Sequence, residues 1–242
     1  MIIQQLKVAE RSRRPEATKS VILNTYNFQA VQKVCSHCIE RKKMATIIGE
    51  SGYGKTVALE YFRNTHPNTV MITAKPSMSA KTFWLEILES ITKDESGKGK
   101  GIEFSKRTLY QILRQVSREF NALPNTLLIV DECGKLNDKM LGFLHEVRDE
   151  TKLNAGIVLS GPPYFRDNLI RWSNTGKLGT AEIMRRINSW YNLEAPTLNE
   201  VRKLCEVRGI KDLATIKTLA ERCRNFGQLD NEINEIIEDQ PY

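Results

Sequence analysis

The sequence predicts an α/β fold: a parallel sheet of five strands flanked by helices, followed by a small all-α lobe. Three observations predict it. Short apolar runs alternate with stretches of helical periodicity. The runs are apolar throughout rather than at every second residue, as strands covered on both faces are. After Pro196 the runs stop and only helical patterns remain. The expected organisation is a basic arm over 1–20, an α/β domain over 21–195 and a helical lobe over 196–242.

Taken in order, residues 1–20 are polar and basic and carry no core face. "VILNTYNFQAVQKVCSHCIERKK" has apolar residues at helical spacing (Phe28, Val31, Val34, Cys35, Cys38, Ile39). "MATIIG" is a short buried strand, and "KTVALEYFRNTH" a helix that stops before Pro67. "TVMITAK" is a second strand. "SAKTFWLEILESITK" is a helix with Ser79 as its cap. "DESGKGKG" is a turn, and "SKRTLYQILRQVSREF" a further amphipathic helix. "TLLIVDE" is the third strand, "KMLGFLHEVRDETK" a helix and "AGIVLSG" the fourth strand. A fifth short strand is expected around Trp190 to Leu193. "TLNEVRKLCEVRG", "DLATIKTLAERCR" and "FGQLDNEINEIIEDQ" are the three helices of the lobe.

"GESGYGKT" fits the spacing G-x-x-x-x-G-K-[ST] over Gly49, Glu50, Ser51, Gly52, Tyr53, Gly54, Lys55 and Thr56. Its glycines let backbone N–H groups turn inward and approach phosphates closely. The helix that follows adds its positive N-terminal end. Lys55 is the residue to reach the β- and γ-phosphates of ATP, and the Thr56 hydroxyl is a ligand for Mg²⁺. An apolar strand before the loop and a helix after it are the context this motif requires.

"LLIVDE" puts Asp131 and Glu132 at the end of a buried strand. Asp131 is the acidic partner of Thr56 at Mg²⁺, and Glu132 the carboxylate that polarises an attacking water. This pair favours ATP hydrolysis over simple switching. Ser160 ends the fourth strand and faces the γ-phosphate if that strand lies between those carrying the loop and the acids.

The cysteines, Cys35, Cys38, Cys133, Cys205 and Cys223, are odd in number and irregularly spaced, which argues against a disulfide framework. "CSHC" has no second pair to complete a zinc site, so buried helix cysteines are expected there. No apolar run approaches the ~20 residues that span a bilayer. The first twenty residues lack the long apolar stretch of a secretory signal, so the expected location is cytoplasmic.

The formal net charge of +7 is uneven: residues 194–242 carry 7 Lys/Arg against 10 Asp/Glu, and the rest 29 against 19. A basic body with a mildly acidic tail suits a polyanion. The basic segments are the arm (Arg11, Arg13, Arg14), "ERKK" (Arg41, Lys42, Lys43) and "KGKGIEFSKR" (Lys98, Lys100, Lys106, Arg107). Lys and Arg on such segments contact phosphates without reading bases.

The order of these parts resembles AAA+ ATPases with a C-terminal helical lid. More narrowly it is similar to the transposition ATPases of the MuB and TnsC group, on the stretch "TLLIVDECGKLNDKMLGFLHEVRDETKLNAGIVLSGPPYFRDNL" and on "RRINSWYNLEAPTLNEV". About twenty arm residues and one helix precede the glycine loop, so the helix-turn-helix that precedes the ATPase in MuB is not expected and the layout is expected to be closer to the shorter TnsC-like one. The resemblance implies a trans-acting arginine at Arg186, with Arg185 beside it, that reaches a neighbouring subunit's γ-phosphate. It implies a lid contact at the start of the last helix, where Gln228 stands in place of an arginine and Arg224 is one turn earlier. It also implies an ATP-dependent ATPase that oligomerises on double-stranded DNA, as ring or filament, selects targets and recruits or activates a transposase. A helicase loader or replication initiator is the alternative on the same fold, and an ATPase partner with no DNA role a third.

Overall fold

The computed structural model describes residues 23–92, 104–177 and 179–238. The arm with Arg11, Arg13 and Arg14, and the turn with Lys98 and Lys100, lie outside them.

Helix α1 (Tyr26–Arg41) leads to β1 (Met44–Ile48), α2 (Lys55–Thr65), β2 (Thr69–Thr73) and α3 (Ala80–Thr92). Then come α4 (Leu109–Ala122), β3 (Thr126–Asp131), a 3-10 turn (Cys133–Lys135), α5 (Asp138–Thr151) and β4 (Ala155–Gly161). Helices α6 (Pro163–Asn174) and α7 (Thr180–Arg186) precede β5 (Ile187–Asn192). The lobe is α8 (Leu198–Val207), α9 (Leu213–Arg222) and α10 (Phe226–Glu238).

All four strand pairings are parallel, in the order β2-β3-β4-β1-β5. The three inner strands β1, β3 and β4 are buried at every residue because helices cover both faces, while the edge strands β2 and β5 are only partly buried. Alternate residues serve opposite cores. Ala45, Ile47, Leu127, Ile129 and Val158 meet α1 and α2, where Val31, Leu59 and Phe62 pack. Met44, Ile48, Leu128, Val130 and Leu159 meet the helices of the other face, through Trp84, Phe120, Leu144 and Phe165. The lobe has its own cluster around Val201, Cys205, Leu219, Leu229 and Ile233.

Local chemistry sets the helix starts. Thr25 caps α1 by accepting from Phe28 N at 3.1 Å, so the helix begins at Tyr26 although the periodic stretch opens at Val21. Helix α4 begins four residues after the Ser105 expected from composition, because Thr108 and Gln111 form a reciprocal capping box. The same device, Thr197 with Glu200, opens α8. Strand β5 starts at Ile187 rather than Trp190, since Ile187 pairs with Met44 before a register shift. Helix α1 lies so close to β4 that a Cβ on Gly156 would fall 2.3 Å from Cys38 O. Cys35 and Cys38 are fully buried there, and burial pushes the Cys38 thiol up to about 12 and the Cys35 thiol well above its usual value.

Candidate nucleotide site

The loop between β1 and α2 is held open by its own geometry. Gly52 and Gly54 have φ of +79° and +82°, in the left-handed region that favours glycine. Gly54 also serves as the N-cap of α2 without any side-chain cap. Consequently Gly54, Lys55, Thr56 and Val57 present N–H groups with no acceptor among the described residues, the orphan donors of a helix start. Four N–H groups beside an ammonium form an anion cradle.

Five of the loop's carbonyls, those of Gly49, Glu50, Gly52, Tyr53 and Gly54, are drawn into the protein. Lys55 Nζ donates to Gly49 O at 2.6 Å and to Glu50 O at 2.8 Å. Gly52 O accepts from Phe226 N at 2.9 Å, Tyr53 O from Asn27 Nδ2 at 3.1 Å, and Gly54 O from Ala58 N at 3.1 Å. Burial lowers the pKa of the Lys55 ammonium, while Asp131, Glu132 and Glu50 pull it back up.

The sheet brings the acids to this loop. Strand β4 lies between β1 and β3, with Ile47 opposite Ser160 and Val130 opposite Leu159. Gly49, Asp131 and Ser160 therefore lie at or beside the C-terminal ends of three neighbouring strands. Asp131 is fully buried and both its oxygens are engaged: Oδ2 accepts from Thr56 Oγ1 at 2.6 Å and Oδ1 from Glu132 N at 2.9 Å. This hydroxyl and carboxylate fit a hard cation that takes oxygen ligands, so Thr56 and Asp131 are the residues that would hold Mg²⁺. Glu132 has φ +58°, a left-handed kink that turns its side chain out of the strand's alternation. Its Oε2 meets Lys135 Nζ at 3.1 Å. Ser160 Oγ is fully buried and has no partner among the described residues. An orphaned hydroxyl costs about 1–3 kcal/mol, which a phosphate oxygen would offset.

Arg186 ends α7 and makes a bidentate fork within its own chain, Nε to Asp149 Oδ1 at 2.8 Å and Nη2 to Asp149 Oδ2 at 2.9 Å. His145 Nε2 lies 3.3 Å from the same Oδ2. Arg185 beside it is exposed. The fork holds the Asp149 carboxyl below its usual range and raises the guanidinium.

The lid meets the loop through main chain. Phe226 N–H reaches Gly52 O, and a Cβ on Gly52 would strike Asn225 Oδ1 at 2.4 Å. Gln228 Oε1 accepts from Arg224 N at 3.0 Å, so its side chain closes the start of α10, and Arg224 is exposed. Two clefts flank the loop. One, about 540 Å³, runs past Gly49, Tyr53, Arg166 and Leu193. The other, about 490 Å³, lies under the lid between Val57, Tyr61, Leu204 and Phe226. Both fall in the size range of small-molecule sites.

The basic segments separate. Helices of a parallel α/β sheet run back against the strands, so the start of α4 lies at the loop's end of the sheet and "ERKK" at the other. Lys42 bonds Asn125 Oδ1 at 2.9 Å there. Lys106 is exposed, and the Arg107 guanidinium lies 4.7 Å from the centre of the Phe104 ring. Arg107 opens a polar groove of about 500 Å³ that continues along α4 past Tyr110, Gln111, Arg114, Gln115 and Arg118. Arg114 pairs with Glu150 at 2.8 Å.

Sequence reasoning missed Asn27, Asp149, Lys135, Asn225, Arg114 and Arg118. The one local signal near the last two is the capping box T-x-x-Q, which fixes where α4 starts. No helix among the described residues is long and apolar enough to cross a membrane.

Residues 38–169 match the family described as AAA domain. The chain is 32% identical over 145 residues to the Mu-like prophage FluMu DNA transposition protein B of Haemophilus influenzae, covering 60% of this chain and 44% of that protein. It is 24% identical over 184 residues to the ATP-dependent target DNA activator B of Escherichia phage Mu, covering 75% and 55%. The chain thus spans about half the length of the curated relatives it matches. Among solved structures, a DNA replication initiation factor is similar with a TM-score of 0.54 at 11% identity over 90% of this chain and 62% of that one. NtrX from Brucella abortus in complex with ATP follows at 0.53 and 14%, over 96% and 55%. Both likenesses are of fold alone.

Proposed function

The chain belongs to the AAA domain family, and from that premise we propose that it is a DNA-binding ATPase that assembles on duplex DNA and regulates transposition. In this reading ATP and Mg²⁺ occupy the cradle. Lys55 neutralises the β- and γ-phosphates, and Thr56 with Asp131 holds the cation, which when bound spreads charge away from the phosphoryl oxygens. Glu132 orients the attacking water, and Ser160 fixes a γ-phosphate oxygen. Arg186 completes the site of a neighbouring subunit, so hydrolysis requires an oligomer, ring or filament. ATP favours the assembly and hydrolysis dismantles it.

One observation carries the DNA part: a groove lined entirely by guanidinium, amide and phenol groups opens at Arg107, at the nucleotide loop's end of the sheet, and runs along α4 to Arg118. Those groups bind phosphates of any sequence. The curated relatives' names, a transposition protein and a target DNA activator, support target selection and transposase recruitment as the purpose. The likeness to a replication initiation factor is one of fold and does not move the reading to helicase loading.

The test is titration of a labelled random-sequence duplex with ATP, ADP or no nucleotide at two salt concentrations. ATP-dependent binding that weakens roughly a thousandfold or more between about 50 and 200 mM salt is expected if six or more phosphates are contacted. Binding indifferent to salt, or none with ATP, contradicts it. Capture of a replicative helicase in place of a transposase turns the reading to a loader.

A further inference from the structure

Asn27 is a buried polar residue, 5% exposed, whose side-chain hydrogen bonds go to main chain. Its amide nevertheless ties together three parts of the chain. Nδ2 donates to Tyr53 O in the phosphate loop at 3.1 Å and to Glu194 O at 2.7 Å, and Oδ1 accepts from Glu194 N at 3.2 Å. Glu194 stands between β5 and the lid. A primary amide has two donors and an acceptor, and here all three functions are spent on main chain 26 and 167 residues away.

The bond to Tyr53 O has a directional consequence. A trans peptide carries its C=O and N–H on opposite sides of one plane, and no peptide in the described chain is cis. Pinning Tyr53 O toward Asn27 therefore aims Gly54 N–H the other way. Gly54 N–H is one of the cradle donors with no protein acceptor among the described residues. Gly54 itself has φ +82° and would meet nothing within 4 Å if it carried a Cβ, so no neighbour crowds the peptide on that side. On the other side Tyr53 packs against the core, and its carbonyl is held by the amide of Asn27.

We propose that Asn27 is a positioning residue of the nucleotide site: it sets the Tyr53–Gly54 peptide so that Gly54 N–H faces the phosphates, and it couples that peptide to the lid hinge at Glu194. The inference rests on the loop being the nucleotide site. Phosphate binding that tightens Gly54 N–H tightens the whole plane, hence the Asn27 amide, hence Glu194. The lid is then told of nucleotide through one side chain, in addition to the Phe226 contact.

The experiment compares binding of a fluorescent ATP analogue to the whole chain in wild type, Asn27→Asp and Gln32→Glu. Asn27→Asp keeps shape and acceptor but removes both donated bonds and sets charge against two carbonyls. Gln32→Glu is the control, because Gln32 Nε2 also bonds main chain of the neighbouring helix, Ala58 O at 2.7 Å, but not the loop. Asn27→Asp is expected to weaken the analogue by about tenfold or more, as lost buried bonds of this kind do, while Gln32→Glu stays within about threefold. Equal affinity in folded Asn27→Asp overturns the proposal, as does an equal loss in both variants. A second readout needs no variant. Hydrogen exchange on the wild type is expected to slow at the Glu194 amide when the analogue binds, and an unchanged rate there beside protected loop amides overturns the coupling. A wild-type chain that binds no analogue removes the nucleotide reading itself, a result distinct from either.

Discussion

Thr56 Oγ1 donates to Asp131 Oδ2 across 2.6 Å, joining the first turn of α2 to the last residue of β3 over 75 positions of sequence. The hydroxyl of the phosphate loop and the buried carboxylate thus already share the place where a cation's oxygen ligands converge. Substituting Thr56→Ala is expected to abolish Mg²⁺-stimulated turnover. It should leave Mg²⁺-free nucleotide binding within about fivefold, a change of about 1 kcal/mol, because the hydroxyl is spent on Asp131 and the cation rather than on the phosphates. Turnover across a Mg²⁺ titration checks it.

Lys55→Ala removes the ammonium that bridges Gly49 O and Glu50 O and faces the cradle. Nucleotide binding and assembly are expected to fall together, by a hundredfold or so for a charge-assisted contact of roughly 3 kcal/mol. Calorimetry with an ATP analogue and light scattering with duplex measure the two losses.

Glu132→Gln keeps size and loses the base. Hydrolysis should drop by roughly a hundredfold or more, while ATP-dependent assembly persists and its DNA complexes become long-lived. Turnover at the wild-type rate would reassign the water-activating group. Lys135→Ala, which frees Glu132 from its 3.1 Å partner, should leave hydrolysis intact or raise it.

Arg186→Ala should lose hydrolysis by about a thousandfold, the usual loss on removing a trans-acting arginine, while the isolated chain still binds ATP. Asp149, whose carboxyl is held low by the Arg186 fork, keeps that fork at neutral pH and loses it as pH falls below the ordinary carboxylate range. Mixing Arg186→Ala with Glu132→Gln chains is the decisive format, because the second still assembles and each supplies what the other lacks only if the arginine acts between subunits.

Arg118→Ala, on the α4 groove away from the loop, should weaken duplex binding alike for all sequences and reduce the salt slope by about one contact. ATP hydrolysis without DNA should stay as in wild type. Anisotropy over a salt series reads the slope.

The sheet, the phosphate loop and the strand-end residues Asp131, Glu132 and Ser160 were legible because each is a local pattern: an apolar run, a glycine spacing, a change from apolar to acidic. The start of α4 was misplaced for a physical reason. "SKR" has helix-forming composition, but the capping box of Thr108 and Gln111 fixes the first turn four residues later. Helix α7, seven residues ending in Arg186, lacks the length for a periodic signal, and β5 starts where Ile187 meets Met44.

What the sequence hid is tertiary. Asn27 reaches Tyr53 and Glu194, and Asp149 reaches Arg186 across 37 positions. The lid meets Gly52 through the N–H of Phe226, a main-chain contact that no side-chain motif encodes.

The central claim is that nucleotide drives assembly on duplex DNA. Electron microscopy of the wild-type chain with a slowly hydrolysed ATP analogue, with and without duplex, tests it most directly. Regular rings or filaments that require the analogue and are promoted by duplex are the predicted result; single particles under every condition, or assemblies that form equally well without nucleotide, would contradict it.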